Sequence, residues 1–183
     1  MTDKTGPGGH TGYSDQDLQI LGSWFDLTGY LMINLDHSSS RRFATIIMAR
    51  CQTREDALFV HHLAPDRTWP VAVGGTSATP RKTYTVWVAN DRALDLLQDL
   101  QPYVHVQKRA LALMIKALRD YEIIKDPQFL KEDPVVKRAK RRIQQARREL
   151  RAANQKAAPR KREIRRALAE IQKNNNQNKE TQP

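Results

Sequence analysis

The chain has 183 residues, a net charge of +11 and a single cysteine, enough length for one domain of ordinary size plus an appendage. One cysteine excludes an internal disulfide and points to a reducing, intracellular compartment, cytoplasmic or organellar, in which Cys51 serves as a small buried apolar group of a strand. Apolar stretches such as ATIIMA are far shorter than the ~20 residues a membrane span needs, and the opening MTDKTGPGGHTGYSD lacks the apolar segment of a secretory signal.

The first predicted element is a helix over SDQDLQILGSWFDL. Ser14 is placed as its N-cap with Asp17 three residues on, and Leu18, Leu21 and Phe25 recur at helical spacing until Gly29 stops it. YLMINLD alternates as a strand, SSSRR turns, and FATIIMARC returns as a second strand, which together predict a hairpin. TREDALFVHHLA is a capped helix in which Thr53 leads, Asp56 follows, and Ala57, Leu58, Val60 and Leu63 supply the apolar face. TWPVAV and TYTVWVAN pair as a second hairpin across the loop GGTSATPRK. DRALDLLQDLQPYV and QKRALALMIKALRDYEI are two helices divided at Pro102, because proline removes a hydrogen bond that a continuous helix needs. The order αββαββαα predicts an α+β arrangement in which helices cover one face of a four-stranded antiparallel sheet.

A compositional boundary follows at KDPQFLKEDP. Residues 126–183 hold 17 Lys+Arg against 7 Asp+Glu, a net +10, and residues 1–125 only a net +1. All three Trp and all five Tyr precede the boundary. The expected organisation is a flexible N-terminus over 1–13, a core domain over 14–124, a linker over 125–134, a basic helical extension over 135–173 and a disordered tail, NNNQNKETQP, over 174–183. Within the extension Ala139, Ile143, Ala146, Leu150 and Ala153 repeat at spacings of four and three, with Lys137, Arg138, Lys140, Arg141, Arg142, Arg147, Arg148 and Arg151 around the other faces. After Pro159 the pattern resumes with Ile164, Leu168 and Ile171. Two readings stand: an apolar seam that packs on the core or a partner helix, or a helix that orders only on nucleic acid. Either way the guanidinium groups favour phosphate contact, and without aromatics to stack on bases that contact is directed to the backbone.

Four stretches carry a family resemblance. LGSWFDLTGY resembles the LAGLIDADG motif of homing endonucleases. CQTREDALFVHHL resembles that family's glutamine-bearing strand end and following helix, YTVWVANDRALDLLQDL its last strand and helix, and LQPYVHVQKRALALMIKAL its closing Pro-aromatic segment and basic helix. The resemblance covers roughly residues 16–120 and implies a sheet that forms a saddle on the DNA major groove. It also implies pairing of the motif helix with a second copy, or with a related chain, at a two-fold axis. Gly22 and Ser23 would allow close approach there, with Leu21, Trp24 and Phe25 around them. The family's last motif acid holds divalent metal at the helix end. Aligning Gly29-Tyr30 with the close of the motif puts Thr28 at that acid and Asp26 at the motif's first aspartate. Threonine supplies no charge to Mg²⁺, which binds through carboxylates and phosphate oxygens. Asp26 points about 160° from Thr28 around the helix, so it is the one candidate metal ligand but reads better as a cap or structural hydrogen bond. Of the accessory or vestigial catalytic positions, Gln52 matches the family's water-positioning glutamine, and the basic residue that assists the leaving group falls on Gln107 or, with a slip of one, on Lys108.

For a groove-facing surface the cations are Arg41, Arg42, Arg50, Arg54, Arg67, Arg81 and Lys82, with Asn34 and Gln52 as neutral readers. The tail adds Arg138, Arg141, Arg142, Arg147 and Arg148. The function the resemblance implies is that of a nucleic-acid-binding protein with a degenerate nuclease centre, acting on DNA or on structured RNA as an intron-splicing helper or ribosome-associated component. No cofactor is expected in that case. The alternative is an active DNA endonuclease using Mg²⁺. The five histidines show no metal-ligand spacing, and the glycine pairs lack phosphate-loop context.

Overall fold

In the computed structural model, residues 12–34, 43–63, 71–76, 79–88 and 90–180 are described. Helix α1 (Asp15–Thr28) starts where Ser14 caps it. The Ser14 hydroxyl accepts from the Asp17 N–H at 3.1 Å, and the Asp17 carboxylate reaches back to the cap, so two donors of the first turn are satisfied reciprocally. Leu18, Leu21 and Phe25 bury one stripe of α1 against the sheet. Gly29 ends the helix for reasons of space. Its φ of −62° is open to any residue, but a Cβ there would run into the Phe25 ring and carbonyl.

Strands β1 (Tyr30–Ile33), β2 (Ala44–Cys51), β3 (Val71–Thr76) and β4 (Thr79–Val88) pair antiparallel in the order β1-β2-β4-β3, so β1 is an edge. The register sets Leu31 opposite Ile46 and Ile46 opposite Val88, a row of buried side chains on the face that meets the helices. Tyr30 and Met32 alternate to the other face, where they are exposed. The stretch GGTSATPRK departs from its expected role as a loop. Strands β3 and β4 reach into it from both sides, with Gly74 opposite Thr83 and Thr76 opposite Thr79, because threonines suit a pleated strand; Ser77 and Ala78 lie outside the described residues.

Helix α2 (Arg54–His62) is capped by Thr53, whose hydroxyl accepts from the Asp56 N–H at 3.1 Å. Helix α3 (Asn90–Leu100) and helix α4 (Lys108–Lys125) complete the helical layer on either side of the segment around Pro102. Helix α5 (Pro134–Glu180) is a single helix of 47 residues. Of the two readings of the tail, the packed seam describes this helix: Ile143, Ala146, Leu150 and Ala153 belong to the same core as α1 and the sheet, and Val136, Ala139 and Ala157 are buried beside them. Pro159 does not interrupt it. Its ring lies on the exposed side, where the missing N–H is tolerated. The helix also runs past 173, the boundary set by composition, to Glu180. No glycine or further proline stands between Pro159 and Glu180 to stop its propagation.

Candidate nucleic-acid interface

The two residues on which metal chemistry would turn are both committed to structure. The Thr28 hydroxyl donates to the Trp24 carbonyl at 3.1 Å and accepts the Arg50 N–H at 3.1 Å, so it ties the last turn of α1 to the end of β2. Asp26 is buried, and its carboxylate accepts from the backbone N–H groups of His105 at 2.7 Å, Val106 at 3.0 Å and Gln107 at 3.0 Å. Those donors lead into α4, whose N-cap, Gln107, offers no side-chain cap of its own. A carboxylate from α1 therefore holds the segment that leads into α4, ending at its N-cap residue, near the helix end where the dipole favours negative charge. Asp26, the one candidate metal ligand, is thus hydrogen-bonded within the fold.

Gln107 is buried, and its amide donates to the carbonyls of Phe25 and Gly29. Lys108 is exposed at the first residue of α4, and Gln52 is exposed just past the end of β2. Among the described residues no group of three or more His, Cys, Asp or Glu could hold a metal ion. The Cys51 thiol is pushed up to about 11, first by burial and then by Asp56, so it is protonated at neutral pH and fills core space.

Helix α5 brings two further residues to the α1–β1 junction that the sequence reading missed. The Asn154 amide donates to the Leu31 carbonyl at 2.9 Å, and the Lys161 ammonium donates to the Gly29 carbonyl at 2.7 Å. Both acceptors lie along edge strand β1 or just before it, so α5 covers backbone that an open edge would leave unpaired. Lys161 is only 8% exposed. Its pKa is lowered from 10.5 to about 8, chiefly by burial, with Arg165 and Arg50 pushing it down and Asp26 holding it up. Lys161 thus lies at a corner near buried Asp26, whose carboxylate already accepts three N–H groups. The sequence did hold a signal: Ala153, Ala157, Lys161 and Ile164 continue the four-and-three stripe, and a lysine on an apolar stripe needs a buried acceptor.

The residues expected at the pairing surface are rearranged. Leu21 and Phe25 are fully buried inside the chain. Gly22 fits against Tyr103, where an added Cβ would lie 2.8 Å from the Tyr103 carbonyl oxygen. Ser23 is exposed and Trp24 half-buried. On the same helix Gln16 is exposed, and Ile20 and Leu27 are half-buried.

The cations divide likewise. Arg142 is a structural residue: its guanidinium grips buried Asp120 of α4, Nε at 3.0 Å from both carboxylate oxygens and a terminal nitrogen at 2.6 Å. Arg147 is half-buried. Arg138, Arg141, Arg148, Arg151, Arg160, Arg162, Arg165 and Arg166 are exposed on α5, and Arg50 is exposed at the end of β2. Asn34 is half-buried. Arg41 and Arg42 lie outside the described residues; Arg81 and Lys82 fall within β4, their side chains outside them. Helix α5 carries 16 of the 31 Lys+Arg and 4 of the 20 Asp+Glu, a net +12, which leaves the rest of the chain at −1.

No family model and no curated protein matches the chain. Among solved structures it is similar to the homing endonuclease I-CvuI in complex with the I-CreI target in the presence of 2 mM Mg, with the DNA not cleaved. The two are 11% identical, the match covers 79% of this chain and 98% of that one, and the TM-score is 0.47. It is also similar to the same enzyme in complex with its own target in the presence of 2 mM Ca, at 12% identity, the same coverages and a TM-score of 0.46. No helix among the described residues is long and apolar enough to cross a membrane.

Proposed function

We propose that the chain is a nucleic-acid-binding protein, built on a LAGLIDADG-like domain whose nuclease centre has given way to structural hydrogen bonds and cations. One observation carries this reading: the whole positive excess of the molecule lies on α5, a helix that the core and edge strand β1 hold in place. Cations on a helix already ordered meet phosphates without the cost of folding the segment. Their number suits backbone contact, and the lack of aromatics beside them suits shape or charge over base reading. The ligand is duplex DNA or structured RNA, the latter consistent with a splicing-helper or ribosome-associated role.

The centre is degenerate because Thr28 brings no charge, Asp26 is spent on α4, and the corner holds Lys161. Mg²⁺ binding needs carboxylates free to coordinate. Pairing with a second copy or a related chain would use Gln16, Ile20, Ser23 and Leu27.

The test is fluorescence anisotropy of labelled duplex DNA and labelled hairpin RNA against the full chain over a series of salt concentrations, with parallel incubation of a DNA library in Mg²⁺ or Mn²⁺. Binding that weakens linearly in log salt, with no cleavage, is the expected outcome. Metal-dependent cleavage that Gln52→Ala abolishes would establish the active endonuclease instead. Asp26→Asn is unsuited to that comparison, since Asp26 holds α4.

A further inference from the structure

We propose that the end of α5 beyond the core is a docking face for an acidic protein, one that offers an apolar groove rimmed with carboxylates. Ile164, Leu168 and Ile171 enter the groove, and the arginines beside them meet its rim. The inference goes beyond the nucleic-acid reading and does not depend on it.

The apolar stripe of α5 outlasts the core it packs on. Ala153 and Ala157 are buried, and Lys161 is tied to the Gly29 carbonyl at 2.7 Å. Beyond that tie the helix stands clear: Ile164 is half-buried, Leu168 is 42% exposed and Ile171 is 54% exposed. At ~100° per residue these three fall within an arc of about 60°, in line with Ala153 and Ala157. They therefore point to the side of α5 on which the domain lies, and apolar residues at this spacing on an ordered helix are anchors for a groove.

Charge and shape decide among the occupants. Residues 160–173 hold six Lys+Arg and two Glu, a net +4. Arg160 lies about 40° to one side of Ile164 and Arg165 about 100° to the other, and both are exposed, so the complementary rim is anionic. A second copy would bring the same positive charge, and the stripe falls short of the about three heptads that a coiled coil sustains. Nucleic-acid phosphates answer the arginines but offer nothing apolar to Leu168 and Ile171. An anionic bilayer suits a helix with Trp or Phe on its apolar face, whereas residues 160–173 contain no aromatic. A flat bilayer would also have to clear the domain on that same side. A protein groove with acidic walls meets the stripe and the arginines together.

The test titrates the full chain with calcium-loaded calmodulin, used as a purified acidic protein with an apolar, methionine-rich groove, and repeats the titration with Leu168→Gln/Ile171→Gln. Both positions are exposed, so helicity and melting temperature should be unchanged. The wild type should bind saturably, more weakly as salt rises, and the double variant should bind at least about tenfold more weakly. Absence of saturable binding, or equal binding by the two proteins, overturns the proposal. Co-sedimentation of the wild type but not the variant with phosphatidylcholine/phosphatidylglycerol vesicles, without calmodulin binding, assigns the stripe to a membrane and overturns it. Self-association in sedimentation velocity that the variant abolishes assigns the stripe to a second copy and also overturns it. Labelled duplex DNA separates this inference from the functional reading, because both proteins should bind it alike. A parallel loss of duplex affinity would place the stripe in the nucleic-acid face and overturn the proposal. If neither protein binds nucleic acid while calmodulin binding still depends on Leu168 and Ile171, the docking face stands and the functional reading fails.

Discussion

Replacing Asp26 separates a structural carboxylate from a catalytic one. In Asp26→Ala the N–H groups of His105, Val106 and Gln107 all lose their acceptor. His105 is exposed and Val106 half-buried, so their donors recover partners in water, and each costs about 0.5–1.5 kcal/mol. Gln107 is buried, and its orphaned donor costs about 1–3 kcal/mol. Because the three share one carboxylate their losses do not add fully, and about 3 kcal/mol is expected. Asp26→Asn keeps one acceptor oxygen and should cost about 1–2 kcal/mol. With a urea slope of about 2 kcal/mol per molar, the midpoint of urea unfolding falls by about 1.5 M for the alanine variant and by less for asparagine. A metal-holding carboxylate behaves in the opposite way, since its neutralisation spares or raises the stability of the metal-free protein. If both variants unfold within about 0.5 kcal/mol of wild type, a shift typical of surface substitutions, the structural role of Asp26 is wrong.

Gly22→Ala should lower stability by about 1–3 kcal/mol through overpacking against Tyr103. The loss should be independent of protein concentration; a concentration-dependent loss in unfolding experiments would return Gly22 to a pairing interface. Lys161 titrates near 8 in the folded chain against 10.5 when unfolded, so between those values the unfolded state binds more protons and stability rises with pH. Relative to Lys161→Met, wild-type stability should climb from about pH 8 to 10.5, and parallel curves over that range would contradict the burial of a charged amine. Thr28→Asp restores a carboxylate at the C-terminal end of α1, where the helix dipole disfavours it, beside Lys161. It should yield no Mg²⁺-dependent cleavage of a DNA library, and cleavage by that variant would show that the corner still accepts metal.

The periodic elements were legible because their signals are local. Ser14 and Asp17, Thr53 and Asp56, and the break at Pro102 act through neighbours in the chain, and the helices they delimit are where the spacing put them. The structural role of Asp26 was legible in kind, though its partners lie some 80 residues away and no spacing rule reaches them. Small and apolar residues of α1 suit a partner helix and the chain's own core equally well, and in this fold Gly22 lies against Tyr103 while Leu21 and Phe25 are buried. Arg142 and Lys161 read as two more surface cations in a basic run, and only the fold supplies buried Asp120 for one and the Gly29 carbonyl for the other. The tail's apolar seam was visible, but whether it meets its own core or a partner is a long-range question.

In the proposed function α5 meets nucleic acid as a preformed cationic helix, while the α1 end does no metal chemistry. Removing residues 134–183 would strip core side chains such as Ile143 and Leu150, so it cannot test the charge alone. The direct measurement is the salt slope of duplex binding by the full chain against Arg160→Gln/Arg162→Gln/Arg166→Gln, three exposed positions of α5, with helicity checked by circular dichroism. The slope should become shallower by up to about 2.7 at unchanged helicity. A folded variant that keeps the wild-type affinity and slope would contradict the account.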